Sequence, residues 1–267
     1  MVSIVSAIPQ TTRNAIRGIV NTSLGQLVFV DTPGYHESAK KMNLRMRSIV
    51  EDQLESSDLV LYIIDSTRSC GEEEKLIASM LAPFVDKLVV AVNKVDEPQA
   101  KPKLASDFVI RELPSIPSGR IFDMSAKEDS GINEVLRALY DLAPEGPAMY
   151  GEDFYTDQEV DFRIAEVIRE QAINRLEQEI PHCIYVQIAD MEMRTPGKMW
   201  CRAFLVVEKE SQKGIVIGKG AEMIKKIRVE SIKQLRKIFD YKIDLDLQVK
   251  VEKNWRQKDL ALGRIFR

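Results

Sequence analysis

Apolar and polar positions follow two different rhythms along the chain, and the change falls at LAPEGPAMYGEDFYTD, residues 142–157. Before it, short apolar runs recur at QLVFVD (26–31), LVLYIID (59–65), KLVVAVNK (87–94) and RIFDMSA (120–126). Stretches with helical spacing separate or follow them: LRMRSIVEDQLESS (44–57), EEEKLIASMLAPF (72–84) and INEVLRALYDL (132–142). Runs this apolar are buried on both faces, so the alternation predicts a mostly parallel, doubly wound sheet. RNAIRGIV (13–20), joined to QLVFV across NTSLG, predicts an antiparallel hairpin at its edge.

After the change the order is different. VDFRIAEVIREQAINRLEQEI (160–180) predicts one long helix, and CIYVQIADMEM (183–193) and MWCRAFLVVEKE (199–210) predict alternating strands. GIVIGKGAEMIKKIRVESIKQLRKIF (214–239) predicts a glycine loop leading from a strand into a basic helix, and KIDLDLQVKVEK (242–253) a final strand. That order, α-β-β-α-β, is a small α+β domain. Pro144, Gly146, Pro147 and Gly151 punctuate the stretch between the halves, which predicts an ordered linker.

Composition narrows the classes. With 45% hydrophobic and 30% charged residues the chain is globular, and no apolar run approaches the roughly 20 residues of a membrane-spanning helix. A cytoplasmic protein is expected. Cys70, Cys183 and Cys201 are scattered and only two histidines accompany them, so free thiols are expected and not a zinc site. A net charge of −3 excludes a uniformly basic surface and leaves room for a local basic face.

Three short motifs end predicted strands. DTPG (31–34) places an aspartate where it can hold magnesium and a glycine where a backbone N–H can approach a phosphate; the same residues also make ordinary turns. NKVD (93–96) places a carboxylate that accepts from two N–H groups on one edge of a purine only when the base is guanine. MSAK (124–127) brings backbone amides to the base oxygen. Each is weak alone. Together, in this order and at strand ends, they are specific.

With PQTTRNAIRGI, FVDTPGYH, NKVD, MSAK and the glycine-loop domain, the chain resembles the translation-factor-related GTPases and, within them, the Era family. The resemblance implies a P-loop-type α/β GTPase domain with a mostly parallel, N-terminally incomplete sheet, followed by an α+β KH domain of type II. The implied boundaries are 1–143 for the first domain, 144–158 for the linker and 159–267 for the second. Thr12, or with less support Thr11, is implied to reach Mg2+ together with Asp31. Asp31, Thr32, Pro33, Gly34 and Tyr35 form the second switch. Asn93, Lys94, Val95 and Asp96, with Ser125, Ala126 and Lys127, read the base of GTP or GDP. Tyr35 stands where Ras-like GTPases carry the glutamine that orients water, so slow hydrolysis is expected with no catalytic side chain assigned. His36 is a weak candidate base.

In the second domain the glycine loop reads Gly218-Lys219-Gly220-Ala221, with the last glycine of the family's GxxG replaced; alanine is expected there as helix-compatible. Lys219, Lys225, Lys226 and Arg228 offer phosphate contacts. Ile215, Ile217, Ile224 and Ile227 are expected mostly in the core, with a share in a groove for bases. The implied partners are small-subunit ribosomal RNA and the small ribosomal subunit during its assembly. A monomer is expected, and the resemblance also brings in peripheral association with the inner face of the cell membrane.

No GxxxxGK[ST] occurs in the 267 residues. By the resemblance, that loop stands in a strand–loop–helix unit ahead of VSIVS, and the expectation is a truncated sequence with impaired nucleotide binding. Two functional readings stay open. One is a GTPase switch coupled to RNA binding; the other is a non-enzymatic KH RNA-binding module on a nucleotide-incompetent scaffold.

Overall fold

The structure, a computed structural model, describes residues 2–6, 8, 11–35 and 40–266. His36, with Pro9 and Gln10 of the first switch segment, lies outside the described residues.

The first half is built in two pieces. Strands β1 (Ile16–Thr22) and β2 (Gly25–Asp31) form the expected antiparallel hairpin. Strands β3 (Val60–Asp65), β4 (Leu88–Asn93) and β5 (Ile121–Asp123) form a parallel sheet with β4 in the middle. No ladder joins β2 to β3 among the described residues, so the parallel sheet and the hairpin remain separate.

Strand β4 explains the sandwich around it. Leu88 through Val92 are all fully buried, and successive side chains point to opposite faces. Leu88, Val90 and Val92 pack toward α2 (Glu72–Leu81) and α3 (Pro102–Glu112). Val89 and Ala91 pack toward α4 (Ile132–Leu142), together with Leu27 and Phe29 of β2. Helix α3 was not legible as an element, since PKLASDFVIRE mixes charges into its apolar spacing. The linker residues 143–159 hold no helix or strand. They run along the hairpin, where Ile19 N–H donates to Tyr155 O at 3.0 Å and Gln26 holds Met149 and Tyr150.

The second half corrects the expected order to α-β-β-α-α-β. Helix α5 (Val160–Ile173) ends seven residues before the predicted limit, at a turn followed by a short 3-10 segment at Ile180–Cys183. Strands β6 (Tyr185–Thr195), β7 (Lys198–Val207) and β8 (Lys242–Val251) form one sheet, with β6–β7 antiparallel and β7–β8 parallel. Between β7 and β8 stand α6 (Glu210–Ile217) and α7 (Glu222–Leu235), so the glycine loop joins two helices and does not follow a strand. The apolar run IVI misled the prediction because three residues cannot distinguish a strand from a buried helical turn. Of the four isoleucines, Ile227 is fully buried, Ile224 packs at the core's margin and Ile215 is exposed.

The halves share a core. Helix α1 (Lys41–Ser56) places Met42 and Met46 against Tyr185, Val206, Trp255 and the C-terminal helix α8 (Asp259–Ile265). Residues of the first switch segment cross the same junction: Arg13 Nη1 donates to Ile184 O and Asn14 Nδ2 to Ile265 O, each at 2.8 Å.

Candidate functional site

The parallel sheet sets β4 and β5 in register at Val92 and Asp123, which brings the loops after both strands side by side. Asn93 then ties them together, its Oδ1 accepting from Ala126 N–H at 3.0 Å. Its backbone oxygen accepts from the Ser66 hydroxyl at 2.7 Å, linking the β3 loop as well. Lys94 takes up a left-handed backbone (φ 67°), and its Nζ reaches Asp65 Oδ2 at 2.7 Å. Burial alone would raise the Asp65 carboxyl, but the hydrogen bonds from Lys94 and Thr67 hold it below its ordinary range. Val95 N–H donates to Met124 O at 3.3 Å.

Asp96 and Lys127 meet across the same gap at 3.6 Å. The Ser125 hydroxyl holds the Asp96 carboxyl below its usual range, with Lys127 adding to the effect. Ser125 is buried, and its loop is closed by reciprocal N–H···O bonds with Ser130 at 2.9 and 3.0 Å. The next residue must be glycine: at Gly131 (φ +74°) a Cβ would stand 2.3 Å from Asp123 O. The result is an ionised carboxylate with a fixed bearing, backed by a lysine and a loop amide. Asp65 was missed by sequence reading; its signal was an aspartate closing the strand beside NKVD.

At the end of β2, Thr12 Oγ1 lies 3.2 Å from Asp31 Oδ2. The Thr11 hydroxyl instead donates to Ile8 O at 2.6 Å, so Thr12 is the threonine that faces the aspartate. A hydroxyl beside a carboxylate is a hard-oxygen pair that suits Mg2+. Beyond Asp31, Pro33 is buried and Gly34 exposed, and the Tyr35 ring lies under the Arg47 guanidinium of α1 at 5.3 Å.

The loop between α6 and α7 is shaped by its backbone. Gly218 (φ 75°, ψ 169°) adopts a conformation essentially reserved to glycine, and a Cβ there would stand 2.9 Å from Met223 Cβ. Gly220 and Ala221 both follow with left-handed angles, φ 60° and 61°. Ala221 is therefore not helical, as expected from sequence, but the strained residue just before α7. Lys219, Lys225 and Lys226 are exposed around the loop. Arg228 turns away from it, its Nε donating to Leu245 O and its Nη2 lying 3.7 Å from Asp244.

A parallel sheet with a braced carboxylate at its strand ends, joined to a three-stranded α+β domain with a glycine loop, is the architecture of a GTPase domain coupled to a KH domain. The family described as 50S ribosome-binding GTPase matches residues 1–94, and the KH domain family matches residues 179–256. The chain is 58% identical over 265 residues to GTPase Era of Treponema denticola, covering 99% of this chain and 90% of that protein. It is 44% identical over 284 residues to GTPase Era of Treponema pallidum, covering 99% and 89%. It superposes with a TM-score of 0.92, at 27% identity, on Era solved in complex with MgGDPNP and nucleotides 1506–1542 of 16S ribosomal RNA, covering 99% of this chain and 89% of that one. An Aquifex aeolicus Era variant bound to GDP·AlF4− gives the same TM-score and identity, with 99% and 90% covered. The chain belongs to the Era GTPase family.

Proposed function

We propose that this chain is a guanine-nucleotide switch that binds small-subunit ribosomal RNA and assists assembly of the small ribosomal subunit. In this reading residues 1–143 form the G domain, 144–158 the linker and 159–267 the KH domain. The observation that carries the nucleotide half is the Asp96 carboxylate, kept ionised by Ser125 and Lys127 at the mouth of two braced loops. The RNA half is supported by the exposed lysines around Gly218–Ala221 and by the solved Era complex that contains 16S ribosomal RNA. The inert-scaffold alternative is not favoured, because the identity to GTPase Era runs through both halves.

Thr12 and Asp31 would hold Mg2+ with GTP or GDP, and the ion supplies charge neutralisation at the phosphates. Hydrolysis is slow in this reading, since the Tyr35 ring is stacked under Arg47 and offers no base to a water. The residues flanking Thr12 give the switch its lever: Thr11 O accepts from Arg169 Nη2 at 2.6 Å, and Arg13 reaches Ile184 O. Any rearrangement that turns Thr12 toward a metal therefore pulls on the KH domain. We place the protein in the cytoplasm. No helix among the described residues is long and apolar enough to cross a membrane, and peripheral contact with the membrane's inner face rests on family resemblance alone.

Titration with mant-GDP and mant-ADP in Mg2+, and with a labelled RNA of the 1506–1542 segment, tests both halves. A guanine preference of at least ~10²-fold is expected. RNA affinity should fall with a log–log salt slope of about −2, from roughly three phosphate contacts. Equal binding of both nucleotides, or RNA binding that ignores salt, overturns the corresponding half.

A further inference from the structure

A cavity of about 280 Å3 lies where the first switch segment, α5, β6 and α8 converge, away from the base-facing loops and the glycine loop. Its lining is unusual for a domain junction because two guanidinium groups are buried in it. Arg13 is 4% exposed and Arg169 2% exposed. Arg13 spends Nη1 on Ile184 O, and Arg169 spends Nε and Nη2 on Glu166 and Thr11 O. Arg13 Nε and Arg169 Nη1 are buried with no acceptor, and so is Gln187 Oε1 with no donor, among the described residues. All three side chains line the cavity.

The charge does not balance either. Among the described residues Glu166 is the one carboxylate in the lining, against Arg13, Arg169 and Arg264, and Arg264 pairs with Glu252 at 3.5 Å. Burial and the neighbouring Arg169 pull the Arg13 guanidinium down to about 9, and the opposing attraction of Glu166 does not offset them. Arg13 Nε and Arg169 Nη1 each keep an N–H free for an oxyanion among the described residues, and turning over the Gln187 amide presents its Nε2 as a third donor.

We propose that this junction cavity binds a small phosphate-class oxyanion, either free phosphate or the phosphate of a small metabolite, through Arg13 Nε, Arg169 Nη1 and Gln187. The occupant joins the two domains, because the same guanidinium groups hold Ile184 O and Thr11 O. The site is independent of the nucleotide and RNA assignments. It would survive their failure.

Thermal unfolding of the nucleotide-free chain in sodium phosphate, and in glycerol phosphate, is compared with sodium chloride at equal ionic strength. A rise of at least about 3 °C is expected with phosphate. A larger rise with the ester assigns a phosphorylated small molecule; a rise with phosphate alone assigns the free ion. Gln187→Leu, which removes no charge, should shrink the rise, and Arg13→Gln should abolish it. If Arg13→Gln does not fold, crystals of the unaltered chain grown in phosphate decide, with density expected between Arg13 Nε and Arg169 Nη1. No rise, an unchanged rise in the variants, or only water density at that position overturns the proposal.

Discussion

The two loop regions to which we assign this protein's chemistry are built on opposite plans. The loops after β4 and β5, which we propose face the base, are held by side chains: Asn93 bonds Ala126, Lys94 bonds Asp65, and Ser125 holds Asp96. The loop before α7 has no side-chain cap at all and takes its shape from the unusual backbone conformations of Gly218, Gly220 and Ala221 on either side of Lys219. The first plan fixes a hydrogen-bonding pattern in advance, which suits choosing one base among several. The second leaves exposed lysines and backbone amides on a loop with few anchors, which suits a phosphodiester chain whose bases vary. Substitutions in the first should therefore change selectivity, and substitutions in the second should change stability and affinity.

The strongest way to break the comparison is Asp96→Asn. Guanine offers two N–H donors to a carboxylate, whereas an amide presents one acceptor and one donor. Xanthine offers one donor and one acceptor on the same edge and matches the amide. The preference for GDP over XDP should collapse and reverse, a swing on the order of 10³–10⁴-fold. Displacement of a mant-nucleotide by GDP and XDP measures it, and RNA affinity should stay unchanged. A variant that still prefers GDP would remove Asp96 from the base site.

Gly218→Ala comes next. The conformation at Gly218 is costly for any other residue, and the added Cβ meets Met223 Cβ at 2.9 Å. A loss of roughly 2–4 kcal/mol in the second domain is expected from backbone strain and overpacking together. Urea unfolding followed by tryptophan fluorescence reads it, since Trp200 and Trp255 both lie in that half. RNA affinity should drop at least about tenfold if the loop is the docking element. Guanine preference should not move, and a parallel loss of it would mean the two plans are not separable.

What was legible in the sequence follows the same division. NKVD, MSAK and DTPG stand out in the sequence because polar residues closing apolar strands leave a residue signature, and the structure places all three at strand ends. Apolar runs such as LVVAV announced a strand buried on both faces, and the structure buries all five residues. The glycine loop's flanks were misread because IVI is compatible with either period, and only the packing of Val216 into the core identifies helix α6. Asp65 and the Arg13–Arg169 pair were invisible for another reason. Their roles depend on strands and helices distant in sequence being placed together, and neither residue type nor spacing encodes that contact. Arg228 shows the converse: a basic residue beside the glycine loop reads as a phosphate contact, while in the structure its guanidinium is engaged by Leu245 O and lies near Asp244.

Ala221 gives the smallest and most discriminating test. It holds φ 61° and ψ 23°, an angle pair that costs an L-residue roughly 1–2 kcal/mol relative to glycine. Against that, glycine's extra freedom favours the unfolded chain by about 0.4–1 kcal/mol. Ala221→Gly should thus stabilise the second domain by about 0.5–1 kcal/mol, visible as a small rise in the urea midpoint at constant slope. The opposite outcome, destabilisation, would mean that the methyl makes contacts worth more than the strain. RNA binding separates two explanations for why an alanine stands here. If the methyl merely strains the loop, affinity rises with stability; if the strain holds the loop open for the phosphodiester, the glycine variant is more stable and binds no better. The second result would show that the RNA loop, like the base-facing loops, is pre-set for its ligand, but by backbone strain and not by side-chain bonds.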